Sequence, residues 1–123
     1  MVMEIPTRVA VSGRREGAVG WITLRGEARM EEIHRLLEEA QKLEAAGARS
    51  LLLDCSGLVF MDSASIGAFM ALDRDLGAAG GRLVLYAVPR PVERVLEATG
   101  LLDRFSTAPD EGQALVLASK PRT

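Results

Sequence analysis

The chain predicts an α/β fold, a single mixed β-sheet of about five strands carrying about four helices, on three observations. Two short apolar runs, Leu51-Leu52-Leu53 and Leu83-Val84-Leu85, have the pattern of strands covered on both faces. Segments with apolar residues at helical spacing lie between and after them. Strands and helices therefore alternate, which implies right-handed crossovers and parallel pairing of the later strands.

Taken in order, residues 7–11 alternate polar and apolar side chains and predict a first strand, with the cluster Ser12-Gly13-Arg14-Arg15-Glu16-Gly17 as a turn. Residues 18–26 are β-rich and pair with it as an antiparallel hairpin. In the next segment Met30, Ile33, Leu36, Leu37, Ala40 and Leu43 form one stripe at helical spacing. Glu31, Glu32, Glu38, Glu39 and Lys42 occupy the remainder, and Gly47 ends the helix. Residues 49–54 form the first apolar strand. A loop then leads to a helix opened by Asp62-Ser63 and carrying Ile66, Phe69, Met70 and Leu76. Gly77 to Gly81 breaks the chain before the strand at residues 82–87. Pro89 and Pro91 introduce a helix over residues 92–99, with Val92, Val95 and Leu96 facing inward and Gly100 as its cap. A last short strand at residues 101–107 and a helix over 113–118 complete the order β-β-α-β-α-β-α-β-α. Residues 120–123 form a frayed, flexible tail.

At 123 residues the chain fits one domain over residues 1–123, with a core from about residue 5 to about residue 118. A net charge of -2, with Lys and Arg scattered among acids, disfavours nucleic-acid binding through phosphate neutralisation. The single cysteine, Cys55, excludes an internal disulfide and a multi-cysteine metal site, which points to a reducing compartment, the cytoplasm. No stretch approaches the ~20 apolar residues of a membrane span, and the N-terminus lacks the pattern of a cleaved leader, so a soluble, unprocessed protein is expected.

The stretch Phe60-Met61-Asp62-Ser63-Ala64-Ser65-Ile66-Gly67 is where chemistry concentrates. Asp62 and Ser63 are both good N-cap residues, because a short side-chain oxygen accepts from a first-turn N–H. A serine hydroxyl at an exposed helix start is also reachable by another protein. A phosphate added there meets unpaired N–H donors and the positive end of the helix dipole. Elsewhere the bland readings prevail. Asp54 suits a structural role, supporting the following loop through its N–H groups. Cys55 reads as a small semi-buried hydrophobe, and Trp21 as a core or sheet-face residue. His34 sits among charged residues with no second ligand at metal spacing. The glycine clusters lack the pattern of phosphate-cradling loops and read as turns.

From Leu51 to Leu115 the chain resembles the STAS family, the anti-sigma factor antagonists of bacterial partner-switching circuits. One matching segment is Leu51-Leu52-Leu53-Asp54-Cys55-Ser56-Gly57-Leu58-Val59-Phe60-Met61-Asp62-Ser63-Ala64-Ser65-Ile66-Gly67. A second, at the right separation, is Pro91-Val92-Glu93-Arg94-Val95-Leu96-Glu97-Ala98-Thr99-Gly100-Leu101-Leu102-Asp103-Arg104-Phe105. The resemblance implies the STAS fold, no catalytic activity, no cofactor or metal, and a serine at the tip of the second helix that a partner kinase phosphorylates. The matching serine is Ser63. Where relatives often have Ser-Gly or Thr-Gly next, this chain has Ala64 and Ser65, and Ser65 becomes a second candidate acceptor.

The implied function is that of an anti-sigma factor antagonist. Unphosphorylated, it binds an anti-sigma factor serine kinase and so frees a sigma factor for transcription; a phosphatase resets the serine. Met61, Asp62, Ser63, Ala64, Ser65 and Ile66 are the expected contact residues, in a monomer or weak dimer. The alternative is a non-switching structural or accessory STAS protein of a stress-sensing assembly or lipid-transport complex, in which Ser63 merely caps the helix.

Overall fold

The computed structural model describes residues 9–120. Five strands form one sheet in the order β1-β2-β3-β4-β5: β1 (Ala10–Glu16), β2 (Val19–Ala28), β3 (Ser50–Met61), β4 (Leu83–Tyr86) and β5 (Ser106–Ala108). The β1–β2 pair is antiparallel and every later pair is parallel. The helices are α1 (Ile33–Ala45), α2 (Ser63–Ala78), α3 (Arg90–Ala98) and α4 (Glu111–Ala118). Each parallel strand is added on the same side of the one before. Right-handed crossovers therefore stack α1, α2 and α3 on one face of the sheet. There Leu36, Phe69, Leu76 and Leu96 pack against Ile22, Leu51, Leu53 and Leu85. α4 follows β5 and returns over the opposite face, where Ala114 meets Trp21, Leu52, Val84 and Tyr86. Leu51, Leu52 and Leu53 are all 0% exposed, as a central strand between two covered faces requires.

Several boundaries differ from those the sequence predicts, each for a physical reason. Residues 7 and 8 of the expected first strand lie outside the described residues. Residues 12–16, expected as a turn, belong to β1, with Glu16 opposite Val19 and Gly17 at φ 60° in the tight connection. Their glycine and charges are those of an exposed sheet edge. Met30, expected on the buried stripe of α1, precedes that helix and is 63% exposed, because β2 continues to Ala28. Val95 of α3 points outward, leaving Val92 and Leu96 as its buried positions. In place of a strand over residues 101–107, Leu102–Arg104 makes a 3-10 turn and only Ser106–Ala108 pairs. Leu101, Leu102 and Phe105 reach the core from that turn at helical spacing.

The largest departure is β3, which runs through the expected loop to Met61. Its pairing with β2 shifts register twice, between Thr23 and Arg25 and again between Gly26 and Glu27. Each shift gives β3 an extra residue, a bulge. Strict alternation would send Leu58 and Met61 to opposite faces. With the bulges, Cys55, Leu58 and Met61 all enter the same core, while Val59 and Phe60 are both left outside.

Candidate functional site

β3 delivers the chain to Asp62, which has extended backbone at φ -93°, ψ 175° and caps α2. One carboxylate oxygen of Asp62 accepts from the Ser65 N–H and the Ser65 hydroxyl, each at 2.9 Å. The other accepts from the Met30 N–H at 2.8 Å. In return the Asp62 N–H donates to the Ala28 carbonyl at 3.1 Å, and the Ser65 hydroxyl shares its one proton between the Asp62 carboxylate and that same carbonyl, 2.7 Å away. The start of α2 is thus laced to the end of β2. Burial alone would raise the Asp62 carboxyl's pKa. The N–H groups of Ser65 and Met30, the Ser65 hydroxyl and the Arg29 charge outweigh it and hold the pKa below the usual carboxylate range.

This lacing sorts the residues singled out in the sequence. Ser63, the first residue of α2, is exposed, and Ala64 is half-buried. Ser65 is 0% exposed with its hydroxyl directed inward, so the second candidate acceptor is not at the surface. Met61 and Ile66, expected on the contact surface, are both core residues at 4% exposure. Asp54 lies within β3 and accepts from the Ser56 N–H at 3.0 Å and the Ser56 hydroxyl at 2.7 Å, holding the first bulge. Cys55 is buried, and burial with the nearby Asp54 charge pushes its thiol up to about 12. His34 is exposed and Trp21 is buried.

Three large apolar side chains that lie close to Asp62 along the chain or through its hydrogen bonds are exposed. Val59 and Phe60 of the second bulge are 52% and 38% exposed, and Met30, whose N–H donates to Asp62 from the β2–α1 connection, is exposed as well. The Arg29 guanidinium lies 4.3 Å from the Phe60 ring centroid and pairs with Glu27 at 3.1 Å. An adjacent apolar pair that no single strand face could bury was the available sequence signal for this patch. Among the described residues no helix is long and apolar enough to cross a membrane. Among the same residues no group of three or more His, Cys, Asp or Glu is placed to hold a metal ion.

The family model described as "Mlab, STAS domain" matches residues 11–118. The fold is similar to that of an anti-sigma factor antagonist from Mycobacterium paratuberculosis, at 20% identity and a TM-score of 0.80, covering 96% of this chain and 100% of that one. It is also similar to the antagonist SpoIIAA in its unphosphorylated form, at 22% identity and a TM-score of 0.70, over 88% of this chain and 96% of that one. The phosphorylated form of the Bacillus protein SpoIIAA aligns with a TM-score of 0.67 at 20% identity, over 88% of this chain and 99% of that one. Human sulfate anion transporter 1 is 38% identical over 58 residues, 47% of this chain, and the chain spans 8% of that protein's length. The family match spans nearly the whole sheet and all four helices, and the chain belongs to the STAS-domain family.

Proposed function

We propose that the protein is an anti-sigma factor antagonist that binds an anti-sigma factor kinase in its unphosphorylated form and is released by phosphorylation of Ser63. The observation that carries this is the division of labour at the start of α2. Asp62 does the capping and Ser65 is turned inward, which leaves the Ser63 hydroxyl outside and unneeded for the fold. The exposed side chains of Met30, Val59 and Phe60, with half-buried Ala64, supply the apolar part of the contact, and the Asp62 carboxylate a polar part.

In the modification, the Ser63 oxygen attacks the γ-phosphorus of ATP, the bond to the β–γ bridging oxygen breaks and ADP leaves. The hydroxyl proton passes to a base of the kinase. The phosphate brings about -1.5 to -2 charges to what had been a mainly apolar contact. Within the free domain the helix N-terminus tolerates it, opposed by the neighbouring Asp62 carboxylate. At an interface it must be desolvated, and a loss of about 1.4 kcal/mol already weakens binding tenfold. Partner release follows, and a phosphatase restores binding.

A second reading, a non-switching accessory module of a transport or sensing assembly, is favoured by the Mlab description of the family model and by the transporter relative. Intact-mass spectrometry with site mapping separates the two. The protein is measured as purified from its native host and again after incubation with candidate anti-sigma kinases and magnesium ATP. One added phosphate, on Ser63, is the expected result. No phosphate under any of these conditions moves the assignment to the accessory role.

A further inference from the structure

The Arg29 guanidinium lies 4.3 Å from the Phe60 ring centroid, and its charge acts on the Asp62 carboxylate, one residue before the proposed modification site. The Arg29 backbone lies between Ala28, whose carbonyl takes the Asp62 N–H and the Ser65 hydroxyl, and Met30, whose N–H donates to Asp62. The start of β2–α1 and the start of α2 are therefore held side by side, with Ser63 one residue beyond the bonded Asp62. The Arg29 side chain is 44% exposed and is kept in place by two weak surface contacts, the stack on Phe60 and the pair with Glu27. Both yield readily to a better partner. A phosphate offers three acceptor oxygens to the planar guanidinium fork, a stronger and more directional match than a single exposed carboxylate.

We propose that Arg29 is the residue that receives the Ser63 phosphate, swinging off Phe60 to pair with it and so uncovering the ring face. This rests on the Ser63 switch. It adds a second consequence to phosphorylation: besides placing charge at the helix start, the modification removes the cation from the face of the exposed Phe60 ring. Among the described residues Arg29 is the cation whose charge acts on the Asp62 carboxylate, and the opposing carboxylates around it are Glu27, Glu31 and Asp62.

The test needs no kinase. Phosphoserine is incorporated at position 63 during synthesis, in the otherwise wild-type chain and in chains carrying Arg29→Gln or Arg29→Lys, and the phosphate is titrated by phosphorus NMR. A phosphoserine with an unperturbed second pKa near 6 is the reference. The wild-type phosphate should titrate about 0.5 unit or more below that of the Arg29→Gln protein, because a facing cation favours the dianion. The gap should shrink in about 1 M salt. Arg29→Lys, which keeps the charge but not the fork, should retain part of it. The Phe60 ring resonances should move on phosphorylation toward their positions in unphosphorylated Arg29→Gln. Equal phosphate titrations with Arg or Gln at position 29, or ring resonances unmoved by phosphorylation, overturn the proposal. Such a failure leaves the Ser63 switch untouched, since kinase modification and partner release are measured separately.

Discussion

The Ser65 hydroxyl shares its single proton between the Ala28 carbonyl at 2.7 Å, across 37 residues of sequence, and the Asp62 carboxylate at 2.9 Å. A side chain in the first turn of a helix thereby fixes that helix to the end of a strand. Ser65→Ala should cost about 1–2 kcal/mol. The Ala28 carbonyl keeps the Asp62 N–H, so the loss is near that of one buried hydrogen bond and not of an orphaned group. Urea denaturation measures it. The variant should still accept a phosphate at Ser63, and loss of phosphorylation in a folded Ser65→Ala protein would instead favour Ser65 as the acceptor.

At Ser63 the expectations separate fold from binding. Ser63→Asp should leave urea stability within about 0.5 kcal/mol of wild type, since the site is exposed and the capping belongs to Asp62. It should bind the kinase partner at least tenfold more weakly, and Ser63→Ala should bind with wild-type affinity and resist release by ATP. Calorimetric titration against the partner decides, and a Ser63→Asp protein that binds as tightly as wild type would sink the switch.

Two glycines should respond oppositely to alanine. A Cβ at Gly81 would lie 1.7 Å from the Arg49 carbonyl oxygen, so Gly81→Ala must displace backbone at the entry to β4 and should cost about 3 kcal/mol or more. At Gly67, inside α2, a Cβ meets nothing within 4 Å, and Gly67→Ala should add about 0.5–1 kcal/mol through helix propensity alone. Thermal melts of the two variants test both signs at once.

Cys55 and Tyr86 predict how the fold responds to alkali. Burial, aided by Asp54, raises the thiol of Cys55 to about 12, and burial with Asp54 and Glu111 raises the phenol of Tyr86 to about 12. Both groups are neutral in the native state at a pH where the unfolded chain loses their protons. Their contribution is complete below the unfolded values near 8.5 and 10, and is lost as pH rises from there through about 12. Urea midpoints measured from pH 8 to pH 11 should fall steadily. In native protein at pH 8, Cys55 should react with a thiol reagent only as fast as the chain opens, and a burst of one equivalent would contradict its burial.

The sequence by itself determined the order of elements, the central position of the Leu51-Leu52-Leu53 strand and the start of α2 at Asp62. Those features are local: an apolar run or stripe states which surface a segment must bury, and an Asp before a helix states its own capping bond. The STAS resemblance was equally legible, because it rests on two contiguous motifs. The length of β3 was not. Its inward residues Cys55, Leu58 and Met61 recur every third position, a spacing that is neither strand nor helix until two bulges against β2 supply the missing phase. The site followed the same division. Asp62 and Ser63 were visible as helix-start residues. That Ser65, Met61 and Ile66 turn inward while Met30, Val59 and Phe60 are left exposed was decided only by the tertiary structure. Exposure there depends on strand register and on a carbonyl at Ala28 that no local pattern around residue 65 can reveal.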